Sequence, residues 1–277
     1  MNSPDSRARL VPLPPVFPFP WAVAYGEDHC GLWQAFEVAG VRQVLRFIPP
    51  GRFQMGSPET EAGRWDGERQ HSVTLTRGFW LGETACTQAL WRAVLGDNPS
   101  DFKGNEEAPV EQVSWDDVTE RFLPALNGAV AGLEAVLPHE AQWEYACRAG
   151  SEAAFWFGSQ INTAQVNFNG NEPMLGGHKS PFRKRTVGAK ALPANDWGLF
   201  QMHGNVLEWC ADESGLYPEG ETIDPIGRTL SSGSAQRVLR GGSWIDGARY
   251  CRSANRIASD PANRYHLIGF RLARGSC

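Results

Sequence analysis

The side chains able to do chemistry here include six cysteines and six histidines, and their spacing limits what that chemistry is. Cys251 is the most suggestive, because it sits in GGSWIDGARYCRSANR (241–256) between Arg249 and Arg252. Positive charge beside a thiol favours the thiolate, which is the nucleophilic form. A lone cysteine nevertheless brings no resolving thiol and no paired sulfur ligands for a soft metal. The plainer reading is a small thiol packed beneath a loop. The other cysteines, at 30, 86, 147, 210 and 277, form no CxxC motif and no Cys/His cluster that points to zinc. Buried free thiols are expected for the interior five, with Cys277 exposed. His29, His71, His139, His178, His203 and His266 never pair at i, i+3 or i+4, so each reads as a surface or core side chain. Asp116 and Asp117 point to different sides of a helix and read as capping, not as an acid–base pair. No GxSxG, P-loop or GxGxxG pattern occurs.

The elements that must hold these residues are short. Hydrophobic residues make up 42% of the 277, with eleven Trp and fourteen Phe, enough for a sizeable core. Thirty Gly and nineteen Pro are spread along the chain, which favours one loop-rich domain over 21–277 behind a proline-rich, extended segment 1–20 that packs late or not at all. A net charge of −5 argues against polyanion binding, and Arg183-Lys184-Arg185 is too short a basic run to overturn that, so no nucleic-acid partner is expected. No apolar run approaches the ~20 residues that span a bilayer, so no membrane insertion is expected. Charge and proline interrupt the N-terminal stretch where an export signal would be apolar. As given, the chain reads as cytoplasmic; a cell-surface protein stripped of its signal would read the same.

VRQVLRFIPPGRFQMGS (41–57) gives strand–turn–strand, and HSVTLTRGFWLGETACT (71–87) gives further strand. Thr87 caps a helix over QALWRAVLG that Gly96 stops, and Ser114 caps a second over WDDVTERFLPALN. A third covers HEAQWEYACRAG, with Pro138 expected at its first position and Gly150 ending it. Residues 151–236 show almost no periodicity, yet their many aromatics require packing, so side-chain-to-backbone bonds or a metal must hold them. RVLRGGSW (237–244) and IGFRLAR (268–274) are the closing strand candidates.

IPPGRFQMGS, PVEQVSWDD, LPHEAQWEYACRAG, NDWGLFQMHGNVLEWCAD, RVLRGGSW and GFRLA stand in the order found in the formylglycine-generating-enzyme (sulfatase-modifying factor) family, which the chain resembles from about Arg46 to Ala273. That resemblance implies an α+β, C-type-lectin-like fold with few helices and short antiparallel strands. Formylglycine generators use two cysteines between the GGSW-like and GFR-like blocks to bind copper and oxidise a substrate thiol. By position, with Arg256 on the family's arginine, those cysteines fall on Ala248 and Ser253, so no copper is expected. Cys251 matches neither. A related branch holds iron with histidines from an added N-terminal helical domain, which has no counterpart here.

Between the framework blocks GGSW, CRSANR, DPANR and IGFRLAR lie Ile245, Asp246, Gly247, Tyr250, Ile257, Ser259, Tyr265, His266 and Leu267. This arrangement resembles the variable region of diversity-generating retroelement proteins, where adenines of AAY codons are randomised. Such codons never yield Lys, Glu, Gln, Met or Trp, and none occurs at these positions. Arg240, Arg252, Arg256 and Arg271 have planar donor forks that can brace coil by bonding carbonyls and carboxylates. The expectation is a non-catalytic protein that binds a protein or other macromolecular ligand through a variable surface within 244–268. The alternatives are a family oxidoreductase with an altered site, or an accessory domain in which Ile245, Ile257 and Leu267 are ordinary core.

The resemblance also implies structural calcium. A first site would use Gln201, Gly204, Val206 and Glu208, although Gln201 stands where a shorter, asparagine-like ligand is expected. The competing reading is a buried Glu208 paired with an arginine. Asn167 and Phe168 match part of a second site that has no acidic partner in GGHKSPFRKR.

Overall fold

A computed structural model describes residues 13–227 and 235–275. Cys277 lies outside them. Three sheets, mostly antiparallel, are joined by long irregular connections and three short α-helices, an α+β arrangement.

The first sheet begins with a hairpin, β1 (Ala24–Asp28) and β2 (Gly31–Val38), and runs β1-β2-β3-β6-β13-β7. Here β3 is Val41–Ile48, β6 Phe79–Gly82, β7 Ala135–Val136 and β13 Ala273–Arg274. The second sheet has the order β11-β10-β8-β12, with β8 Leu207–Glu213, β10 Arg237–Arg240, β11 Arg256–Ser259 and β12 Ile268–Phe270. A third, smaller sheet orders β4 (Gly51–Met55), β5 (His71–Leu75) and β9 (Thr222–Ile223). The hairpin β1–β2 and the central strand β8 fall where the sequence alternates weakly or not at all. β8 is buried on both faces over Leu207–Cys210, which removes the period-two pattern.

The helices follow their caps. Helix α1 (Gln88–Leu95) starts at Thr87, whose hydroxyl accepts from Leu90 N–H, and ends at Gly96 in the left-handed region. Ser114 Oγ accepts from Asp117 N–H while Asp117 returns the bond to Ser114 N–H, opening a π-helical turn (Asp117–Phe122) that continues as α2 (Leu123–Ala129). In α3 (Glu140–Arg148) His139 is the N-cap, so Pro138 precedes the cap instead of occupying the first helical position; the left-handed Ala149 ends it before Gly150.

One core cluster joins α1, α2 and the first two sheets around Trp80, Trp91, Phe122 and Phe270. A second lies between α3 and the sheets around Trp143 and Tyr145. Within 13–20, Phe17 stacks on Trp80 and Phe19 on Trp21, at the edge of the first cluster, while Leu13 and Val16 are exposed. No helix among the described residues is long and apolar enough to cross a membrane.

Candidate functional site

The segment from Gly241 to Leu267 runs along the surface with two populations of side chains. Ala248, Cys251, Arg252, Ser253, Ala254 and Asn255 are buried. Ile245, Ile257 and Tyr265 are 40%, 38% and 48% exposed, and Tyr250, Ser259, His266 and Leu267 are half-buried.

Arginines hold the inward half. Arg240 donates to the carbonyls of Ala254 and Asn255 and to Glu144. Arg252 donates to Glu68 with both terminal nitrogens at 2.6–2.7 Å, and also to Glu61 and the Gly63 and Arg249 carbonyls. Arg256 forks onto Glu140 at 2.7 Å, and Arg271 binds Glu208 and the carbonyls of Gly82 and Phe200. Arg240 and Arg252 thereby fix irregular backbone at Ala254, Asn255, Gly63 and Arg249.

Two of the expected outward positions have structural duties instead. Asp246 accepts from Ser243 N–H at 2.8 Å and Ser243 Oγ at 2.6 Å, closing the turn. Gly247 is buried, and a Cβ there would come within 2.9 Å of Glu172 Cβ. Ile257 and Ser259 lie on the edge strand β11, paired with Leu239 and Arg237. Leu267 packs in part against the first core cluster. Trp244 links the two ends of the segment: its indole N–H donates to the His266 carbonyl, and its ring lies against His266 and Phe102. Trp65, 44% exposed, lies beside this segment and is not among the positions expected from sequence. Arg249 lies 4.0 Å from its ring and 5.1 Å from that of Tyr250. A lone tryptophan in the polar loop EAGRWDGERQ was the available signal.

Cys251 is not an activated thiol. Complete burial pushes it well above its usual range, while Arg252 is engaged by Glu68 and Glu61 and Arg249 by Trp65. Ala248 and Ser253, on the family's cysteine positions, are fully buried. Ser253 Oγ lies 3.8 Å from the thiol of Cys147, which burial pushes up to about 12. His203 is buried beside them: its Nδ1 donates to the Cys251 carbonyl at 2.8 Å, and its Nε2 accepts from Trp156 N–H at 3.2 Å. Burial holds its pKa down at about 4, so the imidazole is neutral. This cluster is packed interior.

The calcium positions divide in a similar way. Glu208 accepts from Arg271 through both oxygens and from the Trp143 indole, which is the arginine-paired alternative. The one acidic group of the first set is thus already engaged by a guanidinium. Gln201 donates to the Gly188 carbonyl and leaves its Oε1 without a hydrogen bond. Gly204 has φ +70° and abuts the Asn167 carbonyl, while Val206 is buried core. Asn167 donates to Asn205 Oδ1 and the Arg185 carbonyl, which ties the irregular region together; Phe168 is core.

Comparison with known proteins places this geometry. Residues 37–276 match the sulfatase-modifying factor enzyme 1-like domain. The chain is 35% identical over 199 residues to the formylglycine-generating enzyme of Streptomyces coelicolor, covering 67% of this chain and 58% of that enzyme. It is 29% identical over 205 residues to inactive Cα-formylglycine-generating enzyme 2 of Bos taurus, covering 72% and 59%. The chain thus spans a little over half the length of these relatives. Treponema denticola variable protein 1 superposes with a TM-score of 0.72 at 27% identity, over 87% of this chain and 98% of that one. PvdO from Pseudomonas aeruginosa shares the fold, with a TM-score of 0.72 at 24% identity over 91% and 98%. The chain belongs to the sulfatase-modifying factor enzyme 1-like family.

Proposed function

We propose that this protein is a non-catalytic binding scaffold that presents side chains of the 245–267 segment to a protein ligand. The observation that carries the reading is the division within one segment: the framework is buried and arginine-braced, while Ile245, Tyr250, Ile257, Tyr265 and His266 are at least partly open to solvent. Tyrosine and histidine on a rigid support supply large amphipathic contacts at low entropic cost. Likeness to a solved variable protein supports the same reading. Asp246 drops out of the display set because it closes the turn, and Gly247 because a side chain there would meet Glu172.

The test is a library with AAY-derived codons at those five positions, selected against an arbitrary folded protein. Recovery of folded, target-specific binders is the expected result. Failure to obtain any, from a library whose members fold, overturns the display reading. The oxidoreductase alternative makes the opposite demand on sulfur. A catalytic Cys251 alkylates rapidly near neutral pH and copper(I) binds stoichiometrically, whereas the buried thiol described above reacts only as fast as the fold opens.

A further inference from the structure

The hairpin β1–β2 lies almost wholly before residue 37, where the family match begins. Its register pairs Asp28 with Gly31 and leaves His29 and Cys30 at the tip. Ligand atoms of Asp28, His29 and Cys30, consecutive in the chain, all lie within 4.8 Å of one another. Asp28 is held in place, because both its oxygens accept from Arg46 Nη1 at 2.8 Å and Oδ1 also accepts from Cys30 N–H. Among the described residues, Cys30 is the one cysteine that is not buried.

His29 and Cys30 also line a cavity of about 490 Å³ that includes Arg46, Glu83 and Asp196. Gly198 keeps its wall clear: a Cβ there would reach 2.8 Å from Arg46 Nε and 3.1 Å from Cys30 Cβ. Asp28, Glu83 and Asp196 bring three negative charges, against two positive from Arg46 and from Lys190, which pairs with Glu83. The balance is one negative charge, which favours a cation over an anion.

We propose that Asp28, His29 and Cys30 form a site for a borderline divalent transition-metal ion of the zinc class, with a fourth coordination position facing the cavity. A carboxylate, an imidazole and a thiolate suit such ions, whereas calcium and magnesium take oxygen ligands. Binding forms the metal–sulfur bond and releases the Cys30 thiol proton to solvent. Since the hairpin tip stands outside the 245–267 segment, the site stands or falls independently of the display reading.

The test uses the full chain carrying Cys277→Ser. One equivalent of Zn²⁺ slows iodoacetamide labelling of Cys30, mapped by mass spectrometry, about tenfold, and a chelator restores it. Co²⁺ gives a thiolate charge-transfer band that saturates at one equivalent and that Zn²⁺ bleaches. His29→Ala weakens Co²⁺ binding at least about tenfold, and Cys30→Ser removes the band. Labelling of Cys30 unaffected by Zn²⁺, a non-saturating titration, or a band that survives Cys30→Ser overturns the proposal. The labelling experiment on the unaltered hairpin decides the matter even if a variant fails to fold.

Discussion

The inward and outward halves of residues 241–267 obey different physics. Inward, Arg240, Arg252 and Asn255 are fully buried and the two guanidiniums have several partners each. Outward, Ile245, Ile257 and Tyr265 keep two-fifths or more of their surface, to the nearest tenth, in contact with solvent. The lesson is that coil can be as rigid as a sheet when charged forks take over the work of the hydrogen-bond ladder. The largest test of that contrast is Arg240→Met. It leaves the buried Glu144 with Arg148 and the Gly56 N–H and orphans the Ala254 and Asn255 carbonyls. Losing one partner of a buried charge pair costs roughly 3–5 kcal/mol, read as a lowered urea midpoint. A loss below about 1 kcal/mol would show that the arginines are not what holds the segment.

Acid probes the same inward half through His203. Its folded pKa of about 4 lies below the ordinary 6.5, because burial disfavours the charged ring under the Cys251 carbonyl. Between those values the unfolded chain binds more protons than the folded one, so stability falls as pH drops from 6.5 towards 4 and then levels off. The gap corresponds to roughly 3 kcal/mol. Thermal unfolding across that window should slope for the native chain, and the slope should flatten in His203→Asn.

Much of this was legible in advance, for identifiable reasons. Thr87 and Ser114 announced their helices because caps are local, and the bracing role of Arg240, Arg252, Arg256 and Arg271 followed from the shape of the guanidinium. Tertiary partners were not legible. Cys251 among arginines suggested activation, but Glu61 and Glu68, nearly two hundred residues away, engage Arg252. The glycine at 247 passed a codon test that contains no steric term, and Glu172 supplies that term. The hairpin β1–β2 was missed, since Ala24–Asp28 alternates only weakly.

Gly247 sharpens the comparison, because it looks like an outward position and packs like an inward one. Gly247→Asn forces Glu172 to move and costs about 1–3 kcal/mol. Adding Glu172→Gly should recover part of that loss in a double-mutant cycle. Strict additivity of the two changes would mean that the contact does not govern the position.

The smallest effect belongs to the outward half, and it discriminates most finely between display and ordinary core. Ile245→Asn, Ile257→Asn and Tyr265→Asn each remove apolar surface that water already reaches in large part. Surface changes of this kind stay within about 0.5 kcal/mol. Burial of a whole isoleucine side chain, by contrast, is worth roughly 1.5–3 kcal/mol. Ile257 is the most exacting case, because on β11 it sits directly across from Leu239, a fully buried member of the first core cluster. Asparagine is also a poor strand former, a penalty that spans up to about 1 kcal/mol and adds to any packing loss. A loss at Ile257 confined to that propensity range leaves the position free to vary. A loss of about 3 kcal/mol would assign Ile257 to the core, leaving display to the positions around Trp244 and Trp65.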